Sequence, residues 1–261
     1  MRKIVRNLSA LLGLTAAVAI MTPAAADGLP QDPLARFEQP VCPGVIGLKV
    51  DAAEQMVARV KSNAESFGLK IANAETCDPN LIIAFLADGR DYLQRLADDR
   101  PYLFRDLPAA DRRALLSQEG PVRAWVNTQV RTRDGIFVGR AENLTQPPSA
   151  GMWSAHSRMY RPVREDISSS MILFDRDAIG GLGIDQLADY ATLRGLARTF
   201  PEEAGEERAS ILSLFDARQS APVGLTAFDR SFLRNLYDGI PNLPASARLN
   251  GLSDDPGRVE E

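Results

Sequence analysis

The fold of this chain is decided by one stretch of sequence, 184-IDQLADYATLRGLAR-198. Its apolar residues recur at the spacing of one helical face: Ile184, Leu187, Ala188 and Ala191. A polar stripe beside that face is formed by Asp185, Asp189 and Thr192. The two stripes together predict a half-buried amphipathic helix.

Two short motifs follow this helix. The first is Ser210-Ile211-Leu212, and the second runs from Leu225-Thr226-x-x-Asp229 to Leu233-x-x-Leu236-Tyr237. Thr226 and Asp229 have the spacing of a reciprocal N-cap, which predicts a helix near residues 226 to 238.

The order of these parts resembles the second half of zincin-like (metzincin-like) metalloproteases. It is most similar to a set of uncharacterised bacterial exported proteins of that fold in which the HExxH zinc motif is degenerate. The matching motifs cover roughly a third of the chain that follows the predicted signal, and they are short and degenerate. The resemblance implies an α+β fold with a twisted mixed sheet. It also implies a central former active-site helix over a cleft, a turn beneath the former metal position and a C-terminal closing helix.

The zinc ligands of such a protease are missing from this helix. In zincins, two histidines one helical turn apart bind the metal, and a glutamate between them activates water. The only histidine of the chain is His156, outside the helix. One alignment register places Asp189-Tyr190 on the HE pair and Leu193 on the second histidine, and the other places Ala188, Asp189 and Thr192 on the three positions. Neither register supplies a nitrogen ligand, so we expect no metal and no cofactor.

The N-terminus has the three parts of a cleavable export signal. Residues 1–26 contain Arg2, Lys3 and Arg6, then an apolar run, then Ala24-Ala25-Ala26. The sequence therefore predicts a periplasmic or secreted protein, cleaved near Ala26, with no transmembrane anchor. Cys42 and Cys77 are the only cysteines, and in an oxidising compartment they are expected to form a disulfide.

Composition limits the classes of partner. The chain holds 34 acidic and 30 basic residues, a formal net charge of −4, and three of the basic residues lie in the predicted signal. This balance argues against nucleic acid as a partner.

The remaining chain is predicted to be one domain with two extensions. We expect an extended Pro-rich lead at 27–48, a single α+β domain at 49–240 and a loose tail at 241–261. Asp51 and Glu54 are expected to cap the first helix. Further helices are predicted at 53–67, after Asp88 and at 109–117. Strands are predicted at 81–87, at 122–131 with one face exposed to solvent, and at 171–174. The Asp134-Gly135 turn predicts a return strand at 136–139.

Two groups of residues are candidates for function. In the predicted long loop 141–163, a basic and aromatic patch suited to a carboxylate, phosphate or acidic protein surface is formed by Trp153, Arg158, Tyr160, Arg161 and Arg164. A solvated charge cluster on a loop explains the same pattern. The catalytic candidates for a hydrolase are Asp189, Asp185, Asp175 and His156.

The sequence therefore favours an exported, non-catalytic module of the bacterial envelope that binds an unknown protein or a small acidic ligand. The alternative is a hydrolase with a non-standard, carboxylate-based site. A third interpretation, a purely structural envelope protein, predicts no defined concave pocket.

Overall fold

A computed structural model describes residues 32–139, 159–199, 209–215, 221–249 and 252. Within these ranges the chain forms a mixed α+β structure with one four-stranded sheet and six helices. In chain order the elements are β1 (Pro43–Ile46), α1 (Val50–Ser66), β2 (Leu81–Leu86), α2 (Gly89–Asp99), α3 (Ala109–Ser117), β3 (Val122–Thr132), β4 (Val163–Asp175), α4 (Ile184–Leu196), α5 (Ala227–Tyr237) and α6 (Ala245–Leu249). The α+β prediction is thus confirmed.

The sheet is open and mixed, with strand order β1-β2-β4-β3. β1, β2 and β4 are parallel, whereas β3 runs antiparallel to β4 along its whole length. β4 is therefore a central strand for its second half, where Ile172 lies between Ile83 of β2 and Ala124 of β3.

Apolar residues cover both faces of the central strands. On one face, α1 and α4 pack against the sheet through Met56, Val60, Leu187 and Ala191. On the other, α2 and α3 enclose a second cluster around Leu93, Phe104, Leu115, Trp125 and Leu173. This double cover is why β2 reads as a continuous apolar run rather than an alternating one.

Helix α4 lies unusually close to the sheet. A Cβ atom at Gly195 would stand 3.0 Å from Cδ1 of Leu81 and 3.2 Å from Cδ1 of Ile172. Glycine therefore avoids displacing the ends of these two side chains where α4 packs on β2 and β4.

Several predicted boundaries differ in the structure. β4 begins at Val163, not Met171. Its first half pairs with β3 and, on the other side, forms only a bridge with Arg36, and it lacks the continuous apolar pattern of a strand buried on both faces. Arg123, predicted on a wet face of β3, is buried against Asp175. The predicted return strand is a single bridge between Arg131 and Phe137.

Helix caps follow the sequence prediction in two of three cases. The Asp88 side chain accepts a hydrogen bond from Asp91 N at 2.8 Å, and Thr226 and Asp229 form the expected capping box. The prediction that Asp51 and Glu54 cap α1 is wrong. The N-cap is Lys49, without a side-chain bond, and Asp51 lies in the first turn, where a negative charge favours the helix dipole.

Residues on either side of the predicted domain pack against each other. Pro33 pairs with Pro244, and Ala245 N donates to Asp32 O at 3.1 Å. Arg36 is buried and donates to Leu236 O at 3.0 Å. Residues 241–249, expected to be loose, thus form a docked segment that ends in α6, and residues 32–36 of the Pro-rich lead join the same contact.

Cys42 and Cys77 form the predicted disulfide across a separation of 35 residues. The bridge connects the start of β1 to the loop that precedes β2. No helix in the described ranges is long and apolar enough to cross a membrane.

We predict that removing this bridge lowers the free energy of unfolding. Closing a loop of this length contributes roughly 4 kcal/mol in the chain-entropy model. Urea unfolding of the Cys42→Ala/Cys77→Ala variant, compared with the oxidised protein, measures the loss. The matched control is the oxidised protein after reduction and thiol blocking, which should lose a similar amount. Equal stability of bridged and unbridged forms would contradict the prediction.

Candidate functional site

Two residues of the polar stripe of α4, Asp189 and Thr192, are buried against α1. The side chain of Asp189 is fully buried, and its Oδ1 and Oδ2 accept hydrogen bonds from Nε and Nη2 of Arg59, each at 2.8 Å. Asn63 Nδ2 donates to Oδ1 of the same carboxylate at 2.6 Å. These contacts make Asp189 the centre of a bidentate ion pair between the two helices.

The loop before α5 completes the shell around Asp189. Leu225 N donates to Asp189 Oδ2 at 3.1 Å. A Cβ atom at Gly224 would lie 2.5 Å from the same oxygen, so only glycine leaves room for the loop to approach this closely. The Asp189 carboxylate therefore joins three separate parts of the chain: α1, α4 and the loop before α5.

The pKa of Asp189 reflects a balance between burial and its donors. Burial disfavours the charged form, but the hydrogen bonds from Arg59, Asn63 and Leu225 N outweigh burial and hold the pKa below its ordinary value. The hydrogen bonds that Arg59 donates to Asp189 in turn raise the pKa of Arg59. The carboxylate therefore stays ionised and bound to these donors. A general base must accept a proton near neutral pH, so Asp189 is unsuitable for that role.

The other carboxylates proposed from the sequence do not join Asp189. Asp185 is exposed in the first turn of α4 and accepts from Gln55 Nε2 at 3.0 Å. Asp175 ends β4, where it pairs with Arg123 at 3.1 Å and accepts from Gly89 N at 2.7 Å. His156 lies outside the described residues. In the described ranges no group of three or more His, Cys, Asp or Glu side chains could hold a metal ion.

Asp229, the acid of the LTxxD motif, fixes the Ser-Ile turn. It is fully buried, and its Oδ1 accepts from Ser210 Oγ at 2.6 Å. Its Oδ2 accepts from Ile211 N and Thr226 N, each at 2.9 Å. One carboxylate thus holds the 211–215 turn against the start of α5, which explains why the two motifs occur together.

Tyr237 connects the C-terminal end of α5 to the C-terminal end of α4. Its hydroxyl donates to Leu196 O at 2.6 Å, at the C-terminal end of α4, and accepts from Phe37 N at 3.2 Å. Burial raises the pKa of this phenol well above its usual range. The motif residues Asp229 and Tyr237 therefore have positioning roles in the described structure.

Two cavities meet at the C-terminal end of α4. The α3 lobe, about 520 Å³, lies between α3, β3 and α4 and is lined by residues that include Asp111, Ala114, Leu115, Trp125, Arg194 and Arg198. The second lobe, about 540 Å³, lies between the N-terminal segment, the β3–β4 pair and α5. Ala197 and Arg198 line both lobes, and we call the two together the end groove.

The basic residues of the end groove have partners. Arg198 forms an ion pair with Asp111, which connects α4 to α3. Arg194 is almost fully buried and donates to Thr199 O. The residues that the two alignment registers place on the zinc motif lie elsewhere. Asp189 and Thr192 contact α1, and neither they nor Ala188 and Leu193 line the end groove.

The predicted basic and aromatic patch is only partly described. Trp153 and Arg158 lie outside the described residues. Tyr160 stacks under the guanidinium of Arg133 at 5.9 Å, and Arg161 pairs with Asp32 at 3.1 Å.

Arg164 lies in β4, not in the predicted loop, and its side chain contacts Glu38 and Asp166. Burial raises the pKa of Asp166 even though Arg164 Nε lies 2.9 Å from its Oδ1. Arg164 is therefore committed to a partly buried charge network, and it also borders the second lobe.

Comparison with known proteins gives no relative. No family model matches the chain, and neither the curated proteins nor the solved structures contain a significant match.

Sequence reasoning did not identify Arg59 and Asn63 as partners of Asp189, nor the arginines of the end groove. A signal existed for the first pair. Arg59 and Asn63 are four residues apart on α1, so they fall on one helical face. Arg194 and Arg198 have the same spacing, but α4 ends at Leu196 and Ala197 is extended, so helical periodicity does not place Arg198.

We predict that Asp189→Asn lowers the free energy of unfolding by about 3 kcal/mol, because Arg59 loses its buried partner. The control is Asp185→Asn on the same helix, whose exposed side chain should contribute less than about 0.5 kcal/mol. Chemical unfolding of the two variants measures the contrast. Similar losses in both would contradict the assigned role.

The same variant should change the dependence of stability on pH. Since the folded-state pKa of Asp189 lies below the unfolded one, its contribution is complete above about pH 4 and is lost as the pH falls through the folded pKa. The difference in unfolding free energy between wild type and Asp189→Asn should therefore shrink in acid. Asp166 is present in both proteins and cancels in the difference. A constant difference down to about pH 2 would contradict the assignment.

We predict that Asp229→Ala is more damaging than loss of a helix cap alone. It removes the acceptor of two buried donors from the turn as well as the cap, and should cost about 3 kcal/mol. The control Thr226→Ala removes chiefly the cap and should cost about 1 kcal/mol. Equal effects in thermal unfolding would show that Asp229 does not hold the turn.

Proposed function

We propose that this chain is an exported, non-catalytic domain of zincin-like build that acts as a binding module in the bacterial envelope. The end groove is its binding surface. The export-type N-terminus and the disulfide support the location.

The arrangement of elements supports a zincin-like build. Parallel strands β1 and β2 flank α1, the antiparallel strand β3 forms the sheet edge, and β4 leads into a central helix packed on the sheet. A short turn at Ile211–Phe215 and the closing helix α5 follow, in the order that the sequence motifs indicate.

One observation carries the non-catalytic part of the proposal: the carboxylate of Asp189 is sealed between α1, α4 and Leu225 N. In both alignment registers this residue falls within the HE positions, yet it faces away from the end groove. A protease needs its metal ligands and base exposed to the substrate, and this stripe presents neither.

The hydrolase alternative gains no support from the described carboxylates. Asp175, Asp185 and Asp189 each bind a different partner, Arg123, Gln55 and Arg59 respectively. A purely structural envelope protein is also disfavoured, because the end groove has the size of a small-ligand site and combines apolar walls with charged side chains.

Filling the α3 lobe tests the proposal. Ala114 lies on the exposed side of α3 and lines this lobe, so Ala114→Trp should block it without disturbing the core. The probe is a chemically diverse set of small organic acids, amines, amides and alcohols, screened by ligand-detected NMR. We expect ligands that bind the wild-type protein and do not bind Ala114→Trp.

The matched control is Ala58→Trp, at an exposed alanine of α1 that borders a separate shallow depression. This variant should retain all the ligands. Absence of any ligand for the wild type, or retention of every ligand by Ala114→Trp, would overturn the end groove as the binding surface.

A further inference from the structure

We infer that the outer edge of β3, beside the α3 lobe, binds an extended peptide as an additional strand. This inference deepens the function proposed for the end groove and rests on it. Three observations carry it: main-chain groups without partners at the strand edge, a cavity beside them whose lining is balanced in charge, and a segment of the chain that already pairs with the same edge.

The outer edge of β3 has main-chain groups without partners. Asp175 N donates to Pro121 O at 2.9 Å, and hydrogen-bonded pairs alternate along an antiparallel ladder. The register therefore turns the N–H and C=O groups of Ala124 and Val126 away from β4. Within the described residues, no hydrogen bond from another part of the chain reaches these four groups.

The unpaired groups are also buried. Ala124 and Val126 are only 9% and 6% exposed, and α3 and α4 both contact this strand. Buried main-chain donors and acceptors are paired in the great majority of cases. A peptide in an extended conformation supplies an acceptor and a donor at the spacing that this edge requires.

The cavity beside the edge fits an uncharged main chain. In the lining of the α3 lobe, Asp111 and Glu119 balance Arg194 and Arg198. This lining selects neither an acid nor a base, whereas a peptide main chain is polar without a net charge. Hydrogen bonds to the edge of β3 can therefore hold it without an unpaired charge on either side.

Side chains of an added strand would alternate between two walls of the lobe. Trp125 and Leu115 form the wall on the α3 side, and Trp125 stacks on Phe104 with ring centroids 5.3 Å apart. On the α4 side, the lining includes Ala197. The lobe, of about 520 Å³, has the volume of a small-ligand site and apolar surface on both walls. It suits a short stretch of peptide with small or apolar side chains.

The chain already pairs with the same edge farther along β3. Val138 N donates to Val130 O at 2.9 Å, so the segment 136–138 lies on the outer side of the strand. A further cavity, of about 550 Å³, follows the edge at residues 128–130 and reaches this segment. The α3 lobe and this cavity thus lie one after the other along β3.

Blocked peptides test the inference. The probes are synthetic heptapeptides of random sequence, acetylated and amidated so that no terminal charge is selected, and passed over the full mature protein. The tightest binder is resynthesised with one N-methyl group at each position in turn and measured by isothermal titration calorimetry. Only every second N–H of an added strand faces β3. We expect N-methylation to weaken binding about tenfold or more at alternate positions and less than about threefold between them.

Amide hydrogen exchange, followed by NMR, tests the protein side of the same contact. Binding of the selected peptide should slow exchange at Ala124 and Val126 by about tenfold or more, because these amides gain acceptors. The amides of Arg123 and Trp125 face β4 with and without peptide and are the internal controls. Their exchange should change much less.

Absence of any binding peptide, N-methyl effects that do not alternate, or unchanged exchange at Ala124 and Val126 would each overturn the inference. In each case, small ligands whose binding Ala114→Trp abolishes would leave the proposed function of the end groove intact. Peptide binding that survives Ala114→Trp would place the peptide outside the α3 lobe and also overturn the inference. If, in addition, no small ligand is lost in Ala114→Trp, the proposed function fails with it.

Discussion

The described structure depends on one fully buried carboxylate, that of Asp189, and on the partners that this buried charge needs. An ionised side chain without solvent is tolerated only when charged and hydrogen-bonding partners enclose it. Asp189 meets this requirement with Arg59 and Asn63 from α1 and with Leu225 N from the loop before α5. The same requirement fixes the spacing of α1 from α4 and demands a glycine at position 224.

The remaining polar residues of the motifs act in the same way. Asp229 holds the Ser-Ile turn to α5, and Tyr237 holds α5 to the end of α4. The polar groups of these motif residues are satisfied within the described structure. A cavity lies where α4 ends, between Arg194, Arg198 and Trp125.

Local patterns predicted local structure well. Buried strand β2, helices α3 and α4, the caps at Asp88 and Thr226 and the disulfide follow from apolar spacing, cap chemistry and compartment. Long-range pairing was missed. The first half of β4 lacks a continuous apolar pattern because β2 does not extend beside it and most of its side chains are only partly buried. Arg59 and Asn63 are 130 and 126 residues from Asp189 in sequence, so only the three-dimensional fold shows that they share one site with it.

The most direct measurement of the central claim is the ionisation of Asp189 itself, followed by carbon NMR of the side-chain carboxyl in the folded protein. The account predicts that the pKa of the Asp189 carboxyl lies below the ordinary aspartate value. It also predicts that this pKa rises when Arg59 is replaced by Gln. A pKa near neutrality, unaffected by Arg59→Gln, would contradict it, because such a carboxyl would be an unpaired group suited to proton transfer.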